Sequence, residues 1–328
     1  MRRSRLLTRL AASAVLLAAT SAAHGQADDG PRFLTVLTAT GDSQAAPHGE
    51  GNIYAPDVLY EDGKYRMWFG AQGRDGHDRI HLAESADGVS WGQRGVVLED
   101  DTANHVNDPS VVRVGDQYFM YYTRAGLDIR DEIAVATSPD GVRWTKRGIV
   151  LAPSPAGAWD SLLIGRPSVL VEGGLFRMWY DGRKDVPLGA PVGADVPRAA
   201  NSSRVVGYAE SHDGFTWTRP ERAPVFAADA GGVHVSRVGD QYVMVYESHA
   251  GTFVAVSQDG RQWESRGLLA GLSGSEADQF GHVTPFLLYD READAPWLFV
   301  GAARGGSWDR NAIARLAVPA ERWRSLLR

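Results

Sequence analysis

Five carboxylates stand at the ends of apolar, β-rich runs, where acid–base chemistry would need them. Asp57 and Asp108 begin such runs, Asp160 lies six residues ahead of another, and Asp181 and Glu247 directly follow two more. Two carboxyl groups facing one pocket, one protonated and one ionised, are the minimal equipment for general acid–base catalysis. Basic residues occupy the same kind of position: Arg166, His234 and His282 ahead of runs, Arg124, Arg183 and Arg304 after them. Together they suit a clamp for an anionic group, a phosphate, carboxylate or sulfate. Trp159 offers a flat face to a pyranose ring. Each has a plainer reading. Asp160 binds backbone in an irregular loop, Asp181-Gly182 forms a turn, Glu247 pairs with a neighbouring Arg, and the arginines neutralise Asp108 and Asp160.

The elements that position these residues come from repeats. Ser-x-Asp-Gly-x-x-Trp occurs four times, at Ser85–Trp91, Ser138–Trp144, Ser211–Trp217 and Ser257–Trp263. Asp-Gly between β-rich runs reads as a tight turn, since Gly takes φ > 0 without penalty and Asp bonds its own backbone. Successive Asp residues lie 53, 73 and 46 positions apart, near the period of a four-stranded propeller blade. Upstream of each turn is a strand–turn–strand unit, as in Asp108-Pro-Ser-Val through Phe119-Met-Tyr-Tyr122, and five such units begin at Ala55, Asp108, Arg166, Gly232 and Thr284. Four strands per unit predict an all-β, five-bladed β-propeller. The fifth unit has no Asp-Gly-x-x-Trp and no fourth strand of its own. Phe33–Thr38 is therefore expected to supply the outer strand of the last blade and close the ring. The loop entering strand 1 and the loop leaving strand 2 then share one rim. All twelve candidates fall on it, and the Asp-Gly turns fall on the other.

Residues 1–25 read as a secretory signal peptide, with Arg2, Arg3, Arg5 and Arg9 before an apolar run and small residues at Ala23-His-Gly25, so residues 26–328 form the single propeller domain. The run is too short to span a membrane. There is no cysteine, hence no disulfide framework and no thiolate metal site. Loss of the four signal arginines takes the formal charge from −6 to −10, which argues against nucleic acid or anionic lipid as partner. A carbohydrate is compatible. The expectation is a bacterial periplasmic or secreted monomer with no cofactor, save a structural or central-channel calcium ion near His234 or His282.

Tyr54-Ala-Pro-Asp-Val58 with Gly63-Lys-Tyr, and Asn107-Asp-Pro-Ser-Val111 with Tyr118-Phe-Met-Tyr-Tyr, resemble the inner-strand signatures of the five-bladed propeller glycosidases, glycoside hydrolase family 43 and the related families 32, 68 and 130. The resemblance covers essentially the whole chain after the signal. It implies cleavage of glycosidic bonds by an acid, a base or nucleophile, and a third Asp that orients the sugar and tunes the acid. Asp108 matches that orienting Asp. Asp57 matches the Asp of Ala-Pro-Asp, which in family 43 is neither acid nor base. The pattern then breaks: Arg166-Pro167 stands where the acid Glu would be, and Thr284-Pro285 with His282 where a permuted ring would carry the base. Other carboxylates do the work, or the propeller binds sugar without cleaving it. Family 130 holds phosphate with Arg and His beside a single Asp, so phosphorolysis is the third alternative. Gly182–Arg204, rich in Pro, reads as a mobile loop over the active rim, either a lid or subsite wall or a tolerated insertion.

Overall fold

Each Asp-Gly turn is tied by its own side chains. In the first, Ser85 Oγ accepts from the amides of Asp87 and Gly88, and Asp87 Oδ1 accepts from those of Val89 and Ser90 at 2.8 Å. Gly88 has φ +67°, and the same bonds recur at Ser138, Ser211 and Ser257. These contacts hold Asp87 down at about 2, well below the ordinary carboxylate range.

The computed structural model describes residues 33–39, 52–73, 75–126, 129–190, 192–290, 295–306 and 310–328; the expected signal peptide lies outside them. The strands form four antiparallel sheets and one short parallel pair, and follow one another along the chain in five groups. The first is β1 (Phe33–Leu37) with three late strands described below, and the next is β2 (Asn52–Glu61), β3 (Lys64–Gln72), β4 (Asp78–Ser85) and β5 (Gly92–Leu98). Then come β6 (His105–Val114), β7 (Gln117–Ala125), β8 (Glu132–Ser138) and β9 (Thr145–Leu151). The third set in sequence holds β10 (Leu163–Glu172) and β11 (Leu175–Arg183), the short parallel pair β12 (Val186–Pro187) and β13 (Arg198–Ala199), and β14 (Val205–Ser211). Its expected fourth strand is reduced to two isolated bridges, Val206 to Phe226 and Glu210 to Thr218. β15 (Gly231–Val238), β16 (Gln241–Ser248), β17 (Gly251–Ser257) and β18 (Glu264–Gly271) follow. β19 (Gly281–Asp290), β20 (Ala295–Ala303) and β21 (Asn311–Ala317) complete the order, joined to β16 by one pair, Ser248 with His282.

Neighbouring groups lock through the residues that repeat. Trp68 on β3 donates its indole N–H to Gly141 O at 2.9 Å and meets Trp144 edge-on. Trp179 on β11 does the same to Gly260 and Trp263, and Tyr121 on β7 to Gly214 and Trp217. The second strand of one group thus docks on the turn of the next, which explains why the two motifs travel together. Each joint combines a buried hydrogen bond with a T-shaped aromatic pair. The last group has no such turn, and a helix not anticipated from the sequence, α1 (Ala320–Leu327), fills the gap. Its buried Trp323 and Leu326 join the cluster around Val243, Val245, Leu298 and Leu316.

β1 pairs antiparallel with β21, Phe33 opposite Leu316, and buries Leu37 against Ile53, Phe299 and Ile313. Removing residues 33–37 would bare one edge of β21 and empty the Leu37 site. Thermal melting should show a drop of about 5 °C or more. An unchanged midpoint would mean that β1 contributes nothing to the sheet.

Candidate functional site

Five non-consecutive residues share a backbone conformation that builds the centre of the molecule. Ala55, Asp108, Arg166, Gly232 and Thr284 have φ between 40° and 54°, and at each the ladder slips register: Tyr54/Asp57, Asn107/Ser110, Gly165/Ser168, Gly231/His234 and Val283/Phe286. Four precede proline, a place where positive φ is doubly disfavoured. Strain of this kind costs roughly 1–3 kcal/mol per residue and persists only where the surroundings enforce it. The five line one small channel of about 30 Å³. Two residues further on, a girdle of hydrogen bonds links group to group: Ser110 Oγ accepts from Val169, Ser168 Oγ from Val235, and His234 Nδ1 from Leu287. Asp57 belongs to this girdle, accepting from the Val111 amide, and burial pushes its carboxyl well up.

Above the channel opens a cavity of about 650 Å³. Asp108, Glu247, Arg166 and Arg204 line it, with Asp78 and Tyr54 on one flank and Arg183 on another. Arg166 is the hub: Nη1 lies 3.0 Å from Glu247 Oε1 and 3.1 Å from Asp181 Oδ2, and Nε is 4.0 Å from Asp108 Oδ2. Burial would lower its pKa, but the charges of Glu247, Asp181 and Asp108 prevail and raise it. Glu247 also accepts from Arg204 at 3.2 Å and from the Thr284 amide at 3.0 Å. Asp181 accepts from the Gly232 amide at 3.0 Å and is pushed up to about 6 by burial, against the pull of Arg166. Asp108 is likewise pushed up to about 6, chiefly by burial, with Arg166 and a Thr123 hydrogen bond opposing and Glu247 and Asp78 adding to the rise.

Of the sequence candidates, the cavity thus gathers Asp108, Glu247, Arg166 and Arg183, with Asp181 behind Arg166. The others lie elsewhere. Asp57 is in the channel girdle, because it stands level with Ser110 in its repeat, while Ala55 is the counterpart of Asp108. Asp160 is 1% exposed, accepts from Tyr180 OH and pairs with Arg219 at 3.4 Å. Trp159 stacks on Tyr180 and donates to Arg222 O, so its face is already covered; Gly207 permits this, since a Cβ there would stand 2.7 Å from the indole. Arg124 is tied to Asp100 and Glu132, and Arg304 is exposed outside the cavity. His282 is fully buried between Thr252 and Asp278. His234 is held near 3 by burial, hence neutral. Among the described residues no cluster of three or more His, Cys, Asp or Glu fits a metal ion.

Four site residues went unread in the sequence. Tyr54 OH donates to Asp78 Oδ2 at 2.8 Å, and Asn107 Nδ2 to Tyr54 OH at 2.8 Å. Asp131, between β7 and β8, is pushed up to about 7 by burial and by Asp108. Asn107 and Tyr54 were visible as neighbours of the Asp-Pro and Pro-Asp pairs; Asp78 and Asp131 begin or precede third strands, which carried no signal. The 182–204 segment has more structure than its composition suggests: β12 pairs β13, Val186 packs on Leu162 and Leu163, and Pro187, Ser202 and Arg204 form cavity wall.

No protein-family profile matches the chain. Two uncharacterized proteins of Mycobacterium tuberculosis, from strains CDC 1551 / Oshkosh and ATCC 25618 / H37Rv, are each 35% identical over 141 residues, 39% of this chain. The chain spans less than half the length of these relatives, 45%. Among solved structures, the BT0996 RGII complex superposes with a TM-score of 0.69 at 20% identity, over 87% of this chain and 91% of its own. Zg3597, a family 117 glycoside hydrolase of Zobellia galactanivorans, gives 0.63 at 16% over 89% and 92%. A thermostable family-43 glycoside hydrolase gives 0.55 at 14% over 81% and 88%. The shared property is the fold, a nearly all-β arrangement of propeller type.

Proposed function

We propose that this chain is a glycoside hydrolase-like enzyme in which Asp108 is the general acid and Glu247 the base. One observation carries the reading: two carboxyls on one cavity meet opposite surroundings. Asp108 is buried and pushed up to about 6, so it keeps a proton to give up to about that pH. Glu247 receives two guanidinium groups and a backbone N–H. Environments that split two carboxyls in this way mark acid and base. Asp108 would protonate the glycosidic oxygen as its bond to the anomeric carbon breaks, while water attacks that carbon and yields its proton to Glu247. Tyr54, Asn107 and Asp78 would hold sugar hydroxyls. Arg166 and Arg204 fix Glu247.

In this reading the five strand groups are five blades. Support for a ring closed by β1 comes from its pairing with β21, the edge-on contact of Phe299 with Trp91, and the bond from Asn311 N to Asn52 Oδ1 at 2.9 Å. Residues 1–25 would direct export, and the protein would work outside the cytoplasm as a monomer. No helix among the described residues is long and apolar enough to cross a membrane.

A second reading, a propeller that binds sugar without cleaving it, draws on Arg166, which bridges Asp181 and Glu247 where the family 43 pattern has an acid. A phosphate clamp is less favoured, because Arg166 and Arg204 are occupied by carboxylates. The test is a panel of aryl glycosides and oligosaccharides, with and without inorganic phosphate. Phosphate-independent release of a reducing sugar is expected. Binding without release would support the second reading, and strict phosphate dependence would support phosphorolysis.

A further inference from the structure

Three guanidinium groups line the cavity, and only two have carboxylate partners. Arg166 meets Glu247 and Asp181, and Arg204 meets Glu247 at 3.2 Å and Asp181 at 3.7 Å. Arg183 has no ion pair among the described residues, and its Nε is buried without a hydrogen-bond partner. The missing ion pair is what sets it apart: Arg79, Arg124 and Arg177 each have a carboxylate within 3.3 Å, while the orphaned Nε is shared with Arg177 and Arg204. Arg183 is also well placed to act as a fixed group. It ends β11 in register with Leu163, its carbonyl accepts from the Leu162 amide at 3.1 Å, and its side chain reaches the cavity beside Pro187 and Ser202.

An unpaired guanidinium withdrawn from water is costly, and the cost is relieved by an oxyanion that can take its parallel N–H groups. Burial depresses the Arg183 pKa most; the charge of Asp181 opposes it, Arg166 adds to the fall, and Asp229 and Asp185 oppose it weakly. A neutral sugar hydroxyl would leave the charge uncompensated. We propose that Arg183 anchors an anionic subsite, so that the sugar taken by this cavity carries a carboxylate or a sulfate. This rests on the sugar-binding reading above and narrows it to acidic glycans.

The test compares acidic oligosaccharides with their neutral counterparts: glucuronides and galacturonides against their methyl esters, sulfated galactans against desulfated ones, and sodium phosphate and sodium sulfate alone. Affinity is measured by calorimetry for the intact chain and for Arg183→Ala and Arg183→Lys, with far-UV circular dichroism and melting to verify folding. At least one acidic member should bind ~10-fold or more tighter than its neutral form. That ratio should collapse towards one in Arg183→Ala and recover only partly in Arg183→Lys, which has charge without the planar fork. The carboxylate and sulfate arms separate the two sources of the anion. Equal affinity for acidic and neutral forms, a preference that survives in Arg183→Ala, or no binding by any member would overturn the proposal. So would Arg183-dependent binding of free phosphate with no sensitivity to the charge on the sugar. If neutral sugars are cleaved without preference, the anchor falls and hydrolysis stands; if acidic sugars bind through Arg183 uncleaved, hydrolysis falls and the anchor stands.

Discussion

Asp108→Asn should lower turnover by ~10²–10⁴-fold, the usual contribution of a positioned proton donor, and leave the fold in place. The amide has nearly the shape of the protonated acid but no proton of the required acidity. Wild-type turnover should fall as pH rises above about 6, where Asp108 loses its proton; the residual rate of the variant should lack that limb. Stability makes a second signature. The native pKa of Asp108 lies above the unfolded value of 3.8, so between about pH 4 and 6 the folded state holds a proton that the unfolded chain has released. Raising pH through that window destabilises the native protein, and Asp131 and Asp181 act in the same direction. Asn carries no charge to bury, so Asp108→Asn should melt no lower than wild type at pH 8. Full activity on the panel substrate would remove Asp108 from the reaction.

The sequence was most legible where one residue type does one local job. Asp-Gly turns and the Trp or Tyr that docks on them recur because each joint between strand groups solves the same packing problem, and that periodicity survives without any knowledge of the centre. The centre was harder to read because its geometry departs from regular alternation. With strict alternation Asp57 would share a face with position 55 and so with the counterpart of Asp108; the slip at positive φ, present in both strands, separates the two positions and leaves Asp57 in the girdle, level with Ser110. His234 and His282 sit at the right distance along the chain from the rim, yet a backbone amide takes Nδ1 of His234 and side chains take both nitrogens of His282. Conversely Asp78 reaches the site through a hydroxyl contributed by β2, a contact between strands 24 residues apart that no local pattern announces. Helix α1 escaped for another reason: with eight residues and no side-chain cap, it owes its form to the pocket that receives Trp323 and little to intrinsic propensity.

Arg166 was the residue most at odds with the resemblance, and its surroundings convert that conflict into a stability prediction. Its side chain is 21% exposed and faces three carboxylates. Removing one partner of such a buried cluster leaves uncompensated charge and costs about 3–5 kcal/mol. Arg166→Ala and the better packed Arg166→Met should both melt far below wild type at pH 8. The deficit should shrink as pH is lowered towards 5. Without the guanidinium, the folded-state pKa values of Asp108 and Asp181 rise further above that of the unfolded chain, so the variant gains more than wild type from protonation as pH falls. Two results count against this account. A deficit of equal size at pH 5 and pH 8 would reduce Arg166 to a packing residue. Normal stability at both values, with affinity lost only for charged sugars, would make Arg166 the anion clamp and the carboxylates around it incidental.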